Sequence, residues 1–325
     1  MLAAYAARFS PDDPLAALEV GDRPEPAPPA DAAPFWTTLD VRAASLNQHD
    51  LWSLRGVGLR ADQLPMVLGT DAVGRTPDGR DVVVHGVVWG DGQATGPEAG
   101  DRRTLLSERF AGTLAERATV PTANLVPLPD GLSPEEAACL PTAWLTAYSM
   151  LFRAARVRPG DRVLVQGAGG GVATAAITLG AAAGLEVWAT SRSEAKRAEA
   201  LRLGAAASFE SGERLPGKVD AVVETVGKAT WSHSVRSLRP GGTLVTAGAT
   251  TGDPDAVELS RIFFTELRVQ GVTMGSRADL ESLLAFVTRT GVRPTIDSTV
   301  PLARAADGFA RLVSGEHVGK VVVTV

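Results

Sequence analysis

The sequence predicts an α/β protein in which a doubly wound parallel sheet is joined to a smaller, mostly β domain. Three observations predict it. Residues 163–176 read VLVQGAGGGVATAA, an apolar run, a glycine turn and a helix of small residues in direct succession. Beyond that stretch, strand-like and helix-like segments alternate, the order that builds a parallel sheet covered on both faces. Before it, residues 1–128 carry short strand-like stretches and turns with little helical periodicity.

Taken in order, the first domain opens with strand-rich sequence, and residues 20–34 hold five prolines, the composition of an exposed connection. Residues 36–44 (WTTLDVRAA) and 81–88 (DVVVHGVV) each read as one strand. Residues 89–101 (WGDGQATGPEAGD) read as a loop, a candidate rim or lid. The pattern turns helical at residues 129–131. Ser133, Pro134 and Glu136 then form a capping box, starting a helix that passes Cys139 and breaks or restarts at Pro141. A second helix is expected over residues 142–155, then a turn at Pro159 and Gly160. After the central glycine stretch come a strand at 186–190, a charged helix at 193–203 capped by Gly204, and strands at 219–224, 243–247 and 267–272. The tail, residues 292–325, ends in KVVVTV and is too short for a domain, so it is expected to pack on the first one. The predicted division is 1–128, completed by 287–325, and 129–286.

The glycine turn carries the first chemical signal. Gly167, Ala168, Gly169, Gly170, Gly171 and Val172 lead from a buried strand into a helix. Lacking Cβ atoms, such a turn lets a phosphate approach the backbone, and the helix start offers unpaired N–H groups to it. The spacing departs from G-x-G-x-x-G: its nearest frame is Ala168, Gly170, Ala173. At the tip of the next strand no acid stands to accept ribose hydroxyls; Ser191, Arg192 and Lys196 stand there instead. Such residues suit a 2′-phosphate, which points to NADPH as cofactor. The competing reading makes Arg192 and Lys196 a solvated helix start.

Composition narrows the class. At 325 residues the chain is long enough for two domains, and 45% hydrophobic with 21% charged residues is ordinary for a globular protein. A net charge of −5 without long basic runs argues against a nucleic-acid partner. No uninterrupted apolar stretch has membrane-spanning length and the N-terminus lacks the order of a secretory signal, so the expectation is a cytoplasmic protein without a membrane partner. A single cysteine, Cys139, excludes an internal disulfide and a four-cysteine zinc site. It reads as a small core residue.

Seven stretches in order, AASLNQHD (43–50), PMVLGTDAVG (65–74), GTLAERATVP (112–121), LSPEEAACLPTAWLTAY (132–148), VLVQGAGGGVA (163–173), SLRPGG (237–242) and HVGKVVV (317–323), resemble the medium-chain dehydrogenase/reductase superfamily over nearly the whole chain. The resemblance implies a GroES-like catalytic domain and a Rossmann cofactor domain. In the zinc-dependent alcohol dehydrogenases of that superfamily, Cys, His and Cys ligands fall where this chain has Asn47, Thr70 and Thr142. An amide and two hydroxyls are poor zinc ligands. The sequence therefore resembles the zinc-independent, quinone oxidoreductase-like branch, with no metal expected; a remodelled site from His49, Asp71 and His85 is the alternative.

The same resemblance implies hydride transfer to an electron-poor substrate, a quinone or an α,β-unsaturated ketone or aldehyde. An enoyl-thioester or specialised-metabolite reductase is the alternative, and a non-catalytic NADPH-binding protein is the rival of another class. Asn47 and Asp50 then line the nicotinamide end, Asn47 either donating to a substrate oxygen or ordering its own loop. His49 stands where relatives carry a hydroxyl of the proton relay, against a structural role. Thr142 either bonds the nicotinamide carboxamide or caps a helix. Tyr148 reads more readily as core than as an acid. Ala247, Gly248 and Ala249 at the edge of the sheet, Met274 and Gly275 after its last strand, and Lys320 in the final strand are the remaining cofactor candidates. The family also implies a homodimer through the strand at 267–272.

Overall fold

The computed structural model describes residues 1–92 and 102–325; most of the expected lid, residues 93–101, lies outside them. The chain divides into two compact units, one of Met1–Thr142, Ser276–Arg289 and Ile296–Val325, the other of Ala143–Gly275 and Thr290–Thr295. Against the expected 1–128 and 287–325, the first unit also takes in 129–142 and 276–286 and gives up 290–295.

It begins with strands β1 (Leu2–Ala6), β2 (Leu18–Asp22) and β3 (Trp36–Ser45), then helix α1 (Gln48–Leu54). Short strands follow: β4 (Met66–Val67), β5 (Asp71–Arg75), β6 (Asp81–Val84), β7 (Val87–Trp89), β8 (Arg103–Leu105), β9 (Arg117–Pro121) and β10 (Leu125–Pro127). The single strand expected over 81–88 is thus broken at His85 and Gly86. Asn124 explains the break: its amide donates to the carbonyls of both His85 and Val87, at 2.6 and 2.7 Å. Helix α2 (Pro134–Ala138) starts from the expected capping box, with Glu136 N–H donating to Ser133 Oγ and Ser133 N–H donating to Glu136 Oε2. Because Ser45 Oγ reaches the carbonyl of Ala138 at 2.9 Å, α2 belongs to the first unit.

Pro141, in the last residues of the first unit's opening stretch, neither ends nor restarts an ordinary helix. The chain runs through wide, π-type turns at Leu140–Trp144 and Ser149–Ala155 around a short α3 (Leu145–Tyr148), and Arg156 ends the run in a left-handed conformation, φ 56°. Wide turns of this kind accommodate an inserted residue without losing the helix axis. Then come β11 (Arg162–Val165), α4 (Gly171–Ala182), β12 (Glu186–Thr190), α5 (Glu194–Arg202), β13 (Ala207–Phe209), β14 (Val219–Glu224), α6 (Trp231–Ser237), β15 (Leu238–Thr246), α7 (Leu259–Phe264) and β16 (Arg268–Gly271). The strands pair in the order β13-β12-β11-β14-β15-β16, all parallel. The order reverses direction beside β11, the switch point at which such sheets bind ligands. Leu164, Val222 and Leu244, fully buried, form its core with Trp188.

Helix α8 (Arg277–Thr290), β17 (Ile296–Pro301), α9 (Ala305–Ser314) and β18 (Lys320–Thr324) complete the chain. As expected, the tail returns to the first unit: β18 pairs antiparallel with β3, Val322 opposite Ser45, within the order β10-β6-β5-β3-β18-β17. Arg277 donates to the carbonyl of Leu125, which ties the start of α8 to the same unit. Phe309, Leu54, Leu68 and Leu114 are fully buried there, and each large apolar side chain contributes about 1.5–3 kcal/mol. No helix among the described residues is long and apolar enough to cross a membrane.

Candidate active site

The ends of β3, β5 and β18 and the start of α1 converge on a buried polar cluster in the first unit. Asn47 caps α1, and its N–H donates to Asp50 Oδ2 at 2.8 Å, while Gly69 N–H donates to Asp50 Oδ1 at 2.9 Å. Both oxygens of Asp50 are thus taken by backbone. Burial pushes this carboxyl up, against the lowering pull of His49 and of the Asn47 N–H. Asp50, expected at the nicotinamide end, is a capping residue.

The Asn47 side chain faces a different group. Its Nδ2 donates to Asp71 Oδ2 at 2.8 Å and lies 3.3 Å from Ser45 O and 3.4 Å from Thr70 Oγ1. Ser45 Oγ also reaches Asp71 Oδ2, at 2.7 Å. Thr70 Oγ1 and Thr142 Oγ1 are 2.9 Å apart. Ser45, Thr70 and Asp71 are fully buried; Thr142 is half-buried. Lys320, a cofactor candidate by resemblance, is only 3% exposed and lies inside this cluster. Its ammonium donates to Leu46 O at 2.7 Å, Asn47 Oδ1 at 2.5 Å and Asp71 Oδ2 at 3.3 Å. The extended register of β18 against β3 puts it there, because the strand ends beside Leu46.

These donors do not fit a catalytic zinc. At the three ligand positions stand an amide and two hydroxyls, where zinc takes thiolate or neutral imidazole, and an ammonium already occupies the amide oxygen. Among the described residues no group of three or more His, Cys, Asp or Glu is arranged to hold a metal ion, so His49, Asp71 and His85 do not assemble one.

His49 is turned away from the cluster. Its Nε2 lies 3.1 Å from Glu108 Oε1, and the other oxygen of Glu108 accepts from Leu105 N–H and Thr104 Oγ1. Burial pulls the imidazole down, but the bond to Glu108 and the charges of Asp50, Glu108 and Asp71 outweigh it, so its pKa is raised. Burial likewise lifts the Glu108 carboxyl, and the bonds from His49 and Leu105 more than reverse it. At this position a His49–Glu108 hydrogen bond, with the bonds from Leu105 and Thr104 to Glu108, ties α1 to the end of β8. Cys139 is fully buried, and burial pushes its thiol up to about 12. Tyr148 packs edge-on against Phe152 at 4.9 Å.

In the second unit Gly167 (φ 71°) and Gly169 (φ 125°) take left-handed conformations between β11 and α4. A Cβ on Gly169 would lie 2.5 Å from Lys196 Cδ, whereas one on Gly170 would meet nothing within 4 Å. The turn is therefore open at Gly170 and roofed at Gly169 by the Lys196 stem. Ala168 N–H donates to Thr190 O, leaving Gly170, Gly171 and Val172 at the helix start, where N–H groups lack intrahelical partners. Ser191 is buried, with its Oγ accepting from Ser193 N–H, and Arg192 beside it is exposed. The open turn, the helix start and this basic tip fit a dinucleotide carrying phosphate. Ala247, Gly248 and Ala249 follow β15, Ala247 N–H donating to Glu224 O. Met274 is buried at φ 52°. Gly275 answers a packing need: a Cβ there would lie 2.5 Å from Ser149 Oγ and 2.8 Å from Leu145 Cδ1.

Sequence reasoning missed the support beneath the turn. Glu224, fully buried, accepts from Val226 N–H, Gly227 N–H, Thr230 Oγ1 and Ser234 Oγ. Gln166 joins Thr190 Oγ1 to Ser234 Oγ and lies 2.8 Å from His233 Nδ1. The only signal was a polar residue closing each apolar strand.

Comparison with known proteins agrees with this architecture. Residues 33–130 match the alcohol dehydrogenase GroES-like domain and residues 171–289 match the zinc-binding dehydrogenase domain. The chain is 30% identical to an acryloyl-coenzyme A reductase of Metallosphaera sedula, over 88% of this chain and 91% of that one. It is 29% identical to the enzyme of the same name in Sulfurisphaera tokodaii, over 92% and 94%. The crystal structure of an NAD-dependent alcohol dehydrogenase superposes over the full length of both chains with a TM-score of 0.87 at 32% identity. With both units, the switch-point glycine turn and these relatives in hand, the chain belongs to the medium-chain dehydrogenase/reductase superfamily of oxidoreductases.

Proposed function

We propose that the protein is a zinc-independent, NADPH-dependent reductase of an α,β-unsaturated thioester. The observation that carries this reading is the donor set at Asn47, Thr70 and Thr142, with the Lys320 ammonium among them. Oxidising an alcohol draws on a Lewis acid to hold the alkoxide. Conjugate reduction needs hydrogen-bond donors for the oxyanion that forms on the carbonyl. Quinones and simple enones, the acceptors favoured by the sequence, share that electron-poor carbon. The likeness to two acryloyl-coenzyme A reductases favours the thioester.

When bound, NADPH supplies the hydride that the β-carbon takes up. The residues at 167–172 and the start of α4 hold the pyrophosphate, and Ser191, Arg192 and Lys196 hold the 2′-phosphate. Hydride addition pushes the double-bond electrons onto the thioester oxygen, and a solvent proton at the α-carbon completes the reduction. We also propose a homodimer through β16, whose four residues are all exposed beside Phe263 and Phe264 on α7, at 61% and 79% exposure.

The test is NADPH oxidation, with NADH in parallel, against crotonyl thioester, a simple quinone and a short enone, before and after chelation. Thioester turnover with NADPH that survives chelation is expected; stoichiometric zinc whose removal abolishes turnover defeats the reading. Arg192→Glu is expected to raise the KM for NADPH at least tenfold more than that for NADH. An equal effect on both cofactors removes the 2′-phosphate assignment.

A further inference from the structure

We propose that Lys320 is a positioning residue that fixes the direction of a hydrogen-bond chain, Asn47 to Thr70 to Thr142, and so presents the Thr142 hydroxyl as a donor to the substrate oxyanion. The inference deepens the reductase reading and rests on it for the substrate. Its geometry lies wholly within the first unit.

The direction follows from the chemistry of each group. An ammonium only donates, and Lys320 Nζ is 2.5 Å from one terminal atom of the Asn47 amide, so that atom is the oxygen. Asp71 Oδ2 is 2.8 Å from the other, which is therefore the NH2. Flipping the amide would set NH2 against NH3⁺ and a carbonyl against a carboxylate, both repulsive. With the amide fixed, Nδ2 is only a donor, and its second proton is shared between Ser45 O at 3.3 Å and Thr70 Oγ1 at 3.4 Å. Thr70 is fully buried, and Thr142 Oγ1, at 2.9 Å, is the acceptor its hydroxyl reaches. Were Thr142 to donate instead, the Thr70 proton would be buried without an acceptor, which costs about 1–3 kcal/mol. Thr70 therefore donates to Thr142, and the Thr142 proton points away from the cluster at its half-buried end.

This arrangement uses a cation where the zinc-dependent members use a metal, but through two intermediaries. Lys320 touches no reacting atom; its ammonium selects the amide orientation, and the orientation selects which end of the chain is the donor. Asp71 is the counter-charge that keeps the cation buried, and its Oδ1, buried and without a hydrogen bond among the described residues, leaves the pair asymmetric toward Asn47.

The test compares Thr70→Val, Thr142→Val, Thr142→Ser and the double Thr70→Val/Thr142→Val in the intact protein. With crotonyl thioester, Thr142→Val is expected to lower kcat about 100-fold and Thr70→Val about tenfold, with the KM for NADPH unchanged. Thr142→Ser is expected to retain most turnover. The double variant is expected to be no slower than Thr142→Val, because Thr70 acts through Thr142. Multiplicative losses in the double variant, or a Thr70→Val enzyme with full turnover, overturn the proposal.

A second readout does not depend on the substrate. The Asn47 side-chain amide signals in a ¹⁵N–¹H spectrum, assigned by their loss in Asn47→Ser, are expected to shift in Thr70→Val and in Lys320→Arg. A chain whose amide signals ignore both changes is not coupled, and the proposal fails. A wild-type protein that shows the coupling yet reduces no thioester separates failure of the reductase reading from failure of the chain.

Discussion

Asp71 and Glu224 are both fully buried carboxylates, one opening a strand of the first unit and the other closing a strand of the second, and their surroundings differ in kind. Glu224 takes two backbone N–H groups and two hydroxyls, spread over both oxygens. Asp71 gathers Ser45, Asn47 and Lys320 on Oδ2, while Oδ1 has no partner among the described residues. A carboxylate ringed by neutral, mostly local donors holds a loop still. One paired with a distant ammonium, 249 residues away in sequence, sets the orientation of the side chains between. The first arrangement supports a binding turn; the second aims a hydroxyl.

The largest expected effect comes from removing the cation. Lys320→Met strands Asp71 as an unpaired buried charge, and the expected loss is about 3–5 kcal/mol in urea unfolding. Adding Asp71→Asn to that variant removes the stranded charge and is expected to restore most of the stability without restoring turnover, because the amide of Asn47 is no longer oriented. Recovery of both would mean that the pair serves the fold alone and would erase the contrast with Glu224.

Next comes Glu224→Gln. An amide there sets its NH2 against N–H and hydroxyl donors, and the expected cost is about 1–3 kcal/mol. The change also reaches the glycine turn: a Cβ on Gly167 would lie 2.7 Å from Val226 Cγ2, and Val226 N–H is one of the donors on Glu224. NADPH affinity is therefore expected to fall several-fold while kcat at saturation holds, the reverse of the Thr70→Val pattern. A fall in kcat with unchanged affinity would show that the two clusters are not divided in this way.

The sequence exposed one of these regions far better than the other. The strand, glycine turn and helix of residues 163–176 declare themselves because periodicity and glycine are local signals, and the capping box at Ser133 is equally local. Lys320 stood out only by resemblance, as a cofactor candidate, and not by its partners, since these are set by the pairing of β18 with β3. The partners of Asp50 and His49 were hidden for the same reason. Gly69 N–H and Glu108, which hold these two side chains, are 19 and 59 residues away. Register and loop packing, which place such partners, leave no trace in residue spacing.

The smallest expected effect concerns the turn that delivers Lys320 to its place. Asp297 accepts two bonds from Arg311, at 2.9 and 3.0 Å, and one from Val318 N–H at 3.0 Å, two residues before Lys320. Arg311 foremost, with Val318, holds this carboxyl down at about 2. A depressed carboxyl stabilises the fold above its unfolded value and loses that contribution as pH falls through the folded one. The window here is therefore from about pH 4 down to about pH 2. With Arg311 half-exposed, solvent screening reduces the contribution to about 1 kcal/mol. Asp297→Asn is expected to lose that amount at pH 7 and to flatten the stability curve across the window, as measured by urea unfolding. If the hydroxyl chain depends on where β18 begins, Asp297→Asn also lowers kcat several-fold without moving the KM for NADPH. If the β3–β18 pairing alone places Lys320, turnover stays level and only the stability changes, which would confine the aiming device to the strand register.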